Sequence, residues 1–150
     1  MDDRAVVERQ LGRAPRAFRR VAVRCPFGNP AVTEQAPFDE RGDPFPTTFW
    51  LTCPHLVAAV SRLEAAGGVD RWTKALADDP ELADSLAAAT REQKELRPEL
   101  DVGIGGASRN GSLKCLHAHA AYALARPGYE LGEAILRELE PLWPDRCCTG

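Results

Sequence analysis

A chain of 150 residues that is 44% hydrophobic and 27% charged has the size and balance of one globular domain and can bury a core. Its net charge of -3 gives no general attraction to phosphate polymers, so a nucleic-acid role would require a local basic patch. No stretch reaches the ~20 consecutive apolar residues of a membrane span, and the charged N-terminal stretch is not built as a signal peptide, so the expected compartment is the cytoplasm.

Asp2 and Asp3 open a short amphipathic helix through Val6, Val7 and Leu11, ended by Gly12 with Pro15 beyond it. Alternation over Arg20-Val21-Ala22-Val23-Arg24 predicts a strand, and Cys25-Pro26-Phe27-Gly28-Asn29-Pro30 has the composition of a tight turn. A weaker strand follows from Ala31 to about Phe38, then a turn over Asp39 to Pro44. The aromatic and β-branched run from Thr47 to Thr52 is the third strand, which makes an antiparallel meander.

From Pro54 onward the pattern is helical. Pro54 suits a first helical position, Leu56, Val57, Val60 and Leu63 form one apolar stripe, and Gly67-Gly68 ends it. A short helix around Trp72 and Leu76 precedes Asp79-Pro80, a cap and first-turn proline for a helix with Leu82, Leu86, Ala89 and Leu96 on its face, closed by Pro98. Asp101 to Gly111 is an irregular, glycine-rich piece. Leu113, Leu116, Ala120 and Leu124 carry a helix to about Arg126, and a last helix runs from about Glu130 to Glu140, stopped by Pro141. The expected architecture is α+β: a small antiparallel three-stranded sheet near the N-terminus covered by several helices, one domain over 1–150 with a short flexible C-terminal tail.

Every histidine lies close to a cysteine, in Cys53-Pro54-His55 and Cys115-Leu116-His117-Ala118-His119. Five cysteines are an odd count that a full disulfide framework cannot absorb, and in a reducing compartment they persist as thiols or metal ligands. Cys25, Cys53 and Cys115 each fall at the end of a predicted element, and such ends can converge. If Ser112 caps the helix, Cys115 stands in its first turn, with His119 on the same face and His117 projecting nearly opposite, toward the leucine stripe. The expected metal ligands are therefore Cys25, Cys53, Cys115 and His119, with His55 and His117 as alternates. Three thiolates and one imidazole favour tetrahedral zinc, and an iron-sulfur cluster is the alternative cofactor. Of the adjacent Cys147 and Cys148, at most one is expected to join the site.

Two other functions fit the same residues. In an enzyme, Cys115 would be a helix-activated thiolate nucleophile with His117 or His119 as base. Arg109 and Lys114, just after Gly103-Ile104-Gly105-Gly106, would then bind a small anionic, phosphorylated substrate. In an interaction module, Arg13, Arg16, Arg19, Arg20 and Arg24 would meet an acidic partner.

Leu11-Gly12-Arg13, Arg24-Cys25-Pro26 with Gly28 and Pro30, Leu51-Thr52-Cys53-Pro54, Ser61-Arg62-Leu63-Glu64 and Lys114-Cys115-Leu116-His117-Ala118-His119 together resemble a bacterial family catalogued as domain of unknown function 501. The resemblance spans nearly the whole chain, and Lys-Cys-Leu-His-Ala-His is its most specific segment. It implies a stand-alone cytosolic protein of uncharacterised role, and it carries Cys25, Cys53, Cys115, His117 and His119 over as candidate site residues.

Overall fold

The computed structural model describes residues 2–108 and 113–148. Helix α1 (Asp3–Leu11) leads into strands β1 (Phe18–Arg24), β2 (Pro30–Gln35) and β3 (Phe49–Leu51), and these into α2 (Pro54–Ala65), α3 (Gly68–Asp78), α4 (Pro80–Leu96), α5 (Leu116–Ala125) and α6 (Glu130–Arg137). The strands form an antiparallel sheet in the order β1-β2-β3, as the meander predicts. Central β2 sets Val32 between Val23 and Leu51 and Thr33 between Val21 and Trp50.

Local chemistry explains most boundaries. The Asp2 carboxylate accepts the Ala5 N–H at 2.9 Å to start α1, and Gly12, at φ 73°, stops it by donating to the Glu8 carbonyl. Asp79 accepts from the amides of Glu81 and Leu82, and Pro80 begins α4. The Gly67-Gly68 pair divides its work. Gly67 turns the chain at φ 86°, whereas Gly68 already belongs to α3 and permits a close approach: a Cβ there would lie 2.7 Å from the Leu63 carbonyl oxygen and 3.0 Å from Leu116 Cδ1. Without that Cβ, the start of α3 can lie against both the end of α2 and the Leu116 side chain.

Helix α5 is the centre of the core, buried at Leu116, Ala118, His119, Ala120, Ala121, Tyr122 and Ala123. A helix apolar on most of its circumference must be covered on most sides. It packs on β3, α2 and α6, and its alanines let those elements close in. Leu56 and Val60 of α2 and Leu131 and Ile135 of α6 complete the interior. Several boundaries differ from expectation. Strand β2 ends at Gln35 rather than near Phe38, and β3 keeps only Phe49–Leu51 of the run from Thr47 to Thr52. Helix α5 begins at Leu116, so Cys115 is its N-cap residue in extended conformation, and α6 ends at Arg137 rather than Glu140. Ser112, the expected cap, lies outside the described residues.

Arg97, just beyond α4, is 3% exposed and donates to the carbonyls of Phe45, at 2.6 Å, and of Gln35. Its fork pins the end of α4 to the exit of β2 through backbone acceptors. Among the described residues no helix is long and apolar enough to cross a membrane.

Candidate metal centre

Val57, Ser61 and Glu64 recur at helical spacing along one side of α2, beside the buried Leu56 and Val60. This side faces the start of α5, and all three residues meet His117. Its Nδ1 lies 3.2 Å from Glu64 Oε2, and its Nε2 lies 3.2 Å from Ser61 Oγ and 3.4 Å from the Val57 carbonyl oxygen. The same Glu64 Oε2 accepts the Leu116 N–H at 2.7 Å. Cys115 supplies no side-chain cap to α5, so a carboxylate from another helix satisfies an amide at its positive end.

A carboxylate oxygen of Glu64, Sγ of Cys115 and a ring nitrogen of His117 lie within 4.8 Å of one another, and all three residues are half-buried. Donor atoms about 2.0–2.3 Å from a zinc ion are roughly 3–4 Å apart, so side-chain adjustment alone brings this triple to metal-binding distance. In the tautomer with its hydrogen on Nε2, donated to the Val57 carbonyl, the Nδ1 lone pair faces the Glu64 carboxylate and is available to an ion; in the other tautomer Nδ1–H donates to Glu64 and Nε2 accepts from the Ser61 hydroxyl.

A hydrogen bond to Cys115 raises the His117 pKa above the ordinary histidine value, the Glu64 charge and the Val57 carbonyl add to this, and burial opposes it. A backbone carbonyl on the far nitrogen and an N–H on the carboxylate are also the outer contacts that orient ligands in metal sites.

Among the described residues, Cys25, Cys53, His55 and His119 join no such triple with Cys115. Cys25 sits half-buried at the β1–β2 turn, its N–H bonded to the Asn29 carbonyl. Cys53 is buried as the N-cap residue of α2, with its Sγ 3.7 Å from that of Cys148. His55 lies in the first turn of α2. His119 points into the core, where its Nδ1 meets Tyr129 Oη at 2.8 Å and its Nε2 has no partner. The start of α5 explains the exchange of His119 for His117. With Cys115 outside the helix in an extended conformation, the four-residue spacing no longer puts its side chain on the His119 face.

Burial pulls the His119 pKa down to about 4, so this histidine is neutral in the folded protein. Unfolded histidine titrates near 6.5, so the unfolded chain binds the extra proton first as pH falls. This contribution to stability is whole above pH 6.5 and is lost progressively toward pH 4, by ~3 kcal/mol if His119 acts alone. Urea-unfolding midpoints measured across that window should fall less steeply in His119→Gln than in the wild type; equal slopes would remove His119 as the cause.

Arg109 lies outside the described residues, and exposed Lys114 reaches the Gly106 carbonyl oxygen at 3.4 Å. The N-terminal arginines are largely engaged with acids: Arg16 with Asp39, Arg19 and Arg20 with Glu34, and Arg24 with Asp3.

Beside the triple lies a cleft of about 550 Å³, walled by Phe49, Trp50 and Leu51 of β3, Val57 and Ala58 of α2 and Ala118 of α5, with Cys115 and His117 in the same wall. Among the described residues no lysine, arginine, aspartate or glutamate lines it. Glu64 is the residue that sequence reasoning left without a role; its segment Ser61-Arg62-Leu63-Glu64 stands out only through the family resemblance.

A family model described as Protein of unknown function (DUF501) matches residues 21–101, which include Glu64 and end before Cys115. The matched region is thus shorter than the whole-chain resemblance read from the sequence. No curated protein and no solved structure matches the chain.

Proposed function

This chain belongs to the Protein of unknown function (DUF501) family, and we propose that it is a metal-binding protein in which Glu64, Cys115 and His117 hold zinc beside an apolar cleft. Of the ligands expected from the sequence, this reading keeps Cys115, takes His117 from the alternates and adds Glu64. One observation carries it: a Glu64 carboxylate oxygen, Cys115 Sγ and a His117 ring nitrogen lie within 4.8 Å of one another, with His117 Nδ1 3.2 Å from Glu64 Oε2. Thiolate, imidazole and carboxylate together are a zinc donor set, whereas the sulfur disfavours magnesium or calcium. A single cysteine in the triple suits a mononuclear ion better than an iron-sulfur cluster, which is held by several thiolates.

Three protein ligands leave a position open, and zinc so held acts as a Lewis acid and activates water. The protein's own residues do the rest. Ser61 and Val57 orient His117, the Leu116 amide holds Glu64, and Phe49, Trp50 and Leu51 offer apolar surface to a bound molecule. A wall built mainly of Phe49, Trp50, Leu51, Val57, Ala58 and Ala118 favours a small, mainly apolar ligand.

Elemental analysis of protein purified without added metal should find about one zinc per chain, and cobalt substitution should give a thiolate-to-metal absorption band. Fully folded wild type that stays metal-free at micromolar zinc would end the reading. Proton and metal compete for His117, whose pKa is raised, so zinc affinity should begin to fall at a higher pH than an ordinary histidine ligand would give. The hydrogen bond between Cys115 and His117 also favours a second reading, a thiolate nucleophile. Rapid iodoacetamide labelling of Cys115, unaffected by zinc or chelator, would select it.

A further inference from the structure

We infer that Cys53 and Cys148 form a modification site, a thiol pair that exchanges with a low-molecular-weight disulfide of the glutathione class and closes into an intramolecular disulfide. The pair stands apart from the candidate metal centre and does not depend on it. The two Sγ atoms are 3.7 Å apart although 95 positions separate them in the chain. A disulfide needs about 2.0 Å, so closure asks for little more than a rotamer adjustment at the exposed partner.

The approach is supported from both sides. Cys53 is held by its backbone: its N–H donates to the Ala31 carbonyl at 3.3 Å, and its own carbonyl accepts from Val57 at 2.9 Å. On the other side, Leu142 and Trp143 pack partly buried against the core, and Cys147 Sγ accepts from Asn29 Nδ2 at 2.9 Å. The end of the chain is thereby laid across the β1–β2 turn and the β3–α2 junction, with Cys148 directed to Cys53. Among the described residues no third ligand joins Cys53 and Cys148 within metal-binding distance, which leaves sulfur-sulfur chemistry rather than coordination.

Exposure sets the order of events. Burial pushes the Cys53 thiol up to about 11, so it stays protonated at neutral pH, while Cys148 is exposed to solvent. Cys148, the accessible thiol, therefore attacks the small disulfide and gives up its proton. The disulfide bond breaks, one small thiolate leaves, and a mixed disulfide remains on Cys148. Cys53 then loses its proton and attacks the Cys148 sulfur, expelling the second small thiolate. The two protons given up by the protein thiols end on the two small thiols, so the protein pair is oxidised and the small disulfide reduced. The new bond would tie the chain end to the first turn of α2, the helix that carries Val57, Ser61 and Glu64. It also closes a long loop of the unfolded chain, which stabilises the folded state.

The test is to incubate the reduced full-length chain with glutathione disulfide, block free thiols with N-ethylmaleimide and map the peptides by mass spectrometry. The expected result is a Cys53–Cys148 linked peptide, with Cys25 and Cys115 still blockable, and a raised unfolding temperature that dithiothreitol reverses. Cys148→Ser should lose the link, and Cys147→Ser, whose hydroxyl can still accept from Asn29, should keep it; Cys148 is exposed and Cys147 half-buried, and neither belongs to the buried core. A stable glutathione adduct on Cys148 without the link, or a link through Cys147, would overturn the assignment.

Discussion

His117→Ala is expected to bring zinc from about one per chain to background, weakening affinity by more than the 10–100-fold that loss of an outer contact costs. The ring supplies a ligand nitrogen and also spaces Glu64 from Cys115, so its removal leaves two donors with no third to complete a site. His117 is half-buried and packed on Ser61 and Val57, so the metal-free protein should lose little stability by comparison. Ser61→Ala, which removes only the contact to Nε2, should fall between, at roughly tenfold.

Glu64 separates two duties. Glu64→Gln still accepts the Leu116 N–H but lacks the charge that favours a cation, so it should weaken zinc while sparing the fold. Glu64→Ala loses both, and the uncapped amide adds about 1 kcal/mol of destabilisation. Competition with a chromophoric chelator gives the affinities, and thermal unfolding with and without chelator gives the linked stabilisation. Equal zinc content in all four variants and the wild type would remove the triple from consideration.

Gly132→Ala is expected to be strongly destabilising. Its Cβ would lie 2.6 Å from Ala123 Cβ, 2.7 Å from the His119 carbonyl oxygen and 2.8 Å from Tyr129 Cδ2. Two of these atoms belong to α5 and the third to the N-cap residue of α6, so no flexible side-chain end can swing aside. The helices must separate at their closest point, where His119 and Tyr129 also share their hydrogen bond. The cost is about 3 kcal/mol, which greatly exceeds the gain in helix propensity and corresponds to a fall of roughly 10 °C in melting temperature at this chain length. An unchanged melting temperature would show that α5 and α6 are less closely seated than the coordinates place them.

Much of the architecture is legible without coordinates because it is decided locally. Gly12 must stop α1, Asp79-Pro80 must start α4, and the run ending in Thr52 is too aromatic and β-branched to be anything but a strand. The sulfur and imidazole donors are equally visible as residue types, and the family match over residues 21–101 agrees with several of the segments that first suggest it. By itself, then, the amino-acid order determined a three-stranded meander followed by helices, and the chemistry available for a site.

Which donors meet was decided elsewhere. The choice of His117 over His119 turns on whether α5 starts before or after Cys115, and each residue of helical phase rotates a side chain by about 100°. Glu64 enters because α2 packs beside the start of α5 and its carboxylate reaches the Leu116 N–H, a contact across 52 positions that no local pattern encodes. Cys53 meets Cys148 because the segment after α6 folds back on the core through Leu142 and Trp143. Local rules act over one or two helical turns, whereas these meetings depend on how distant elements pack, and only the tertiary structure determines that.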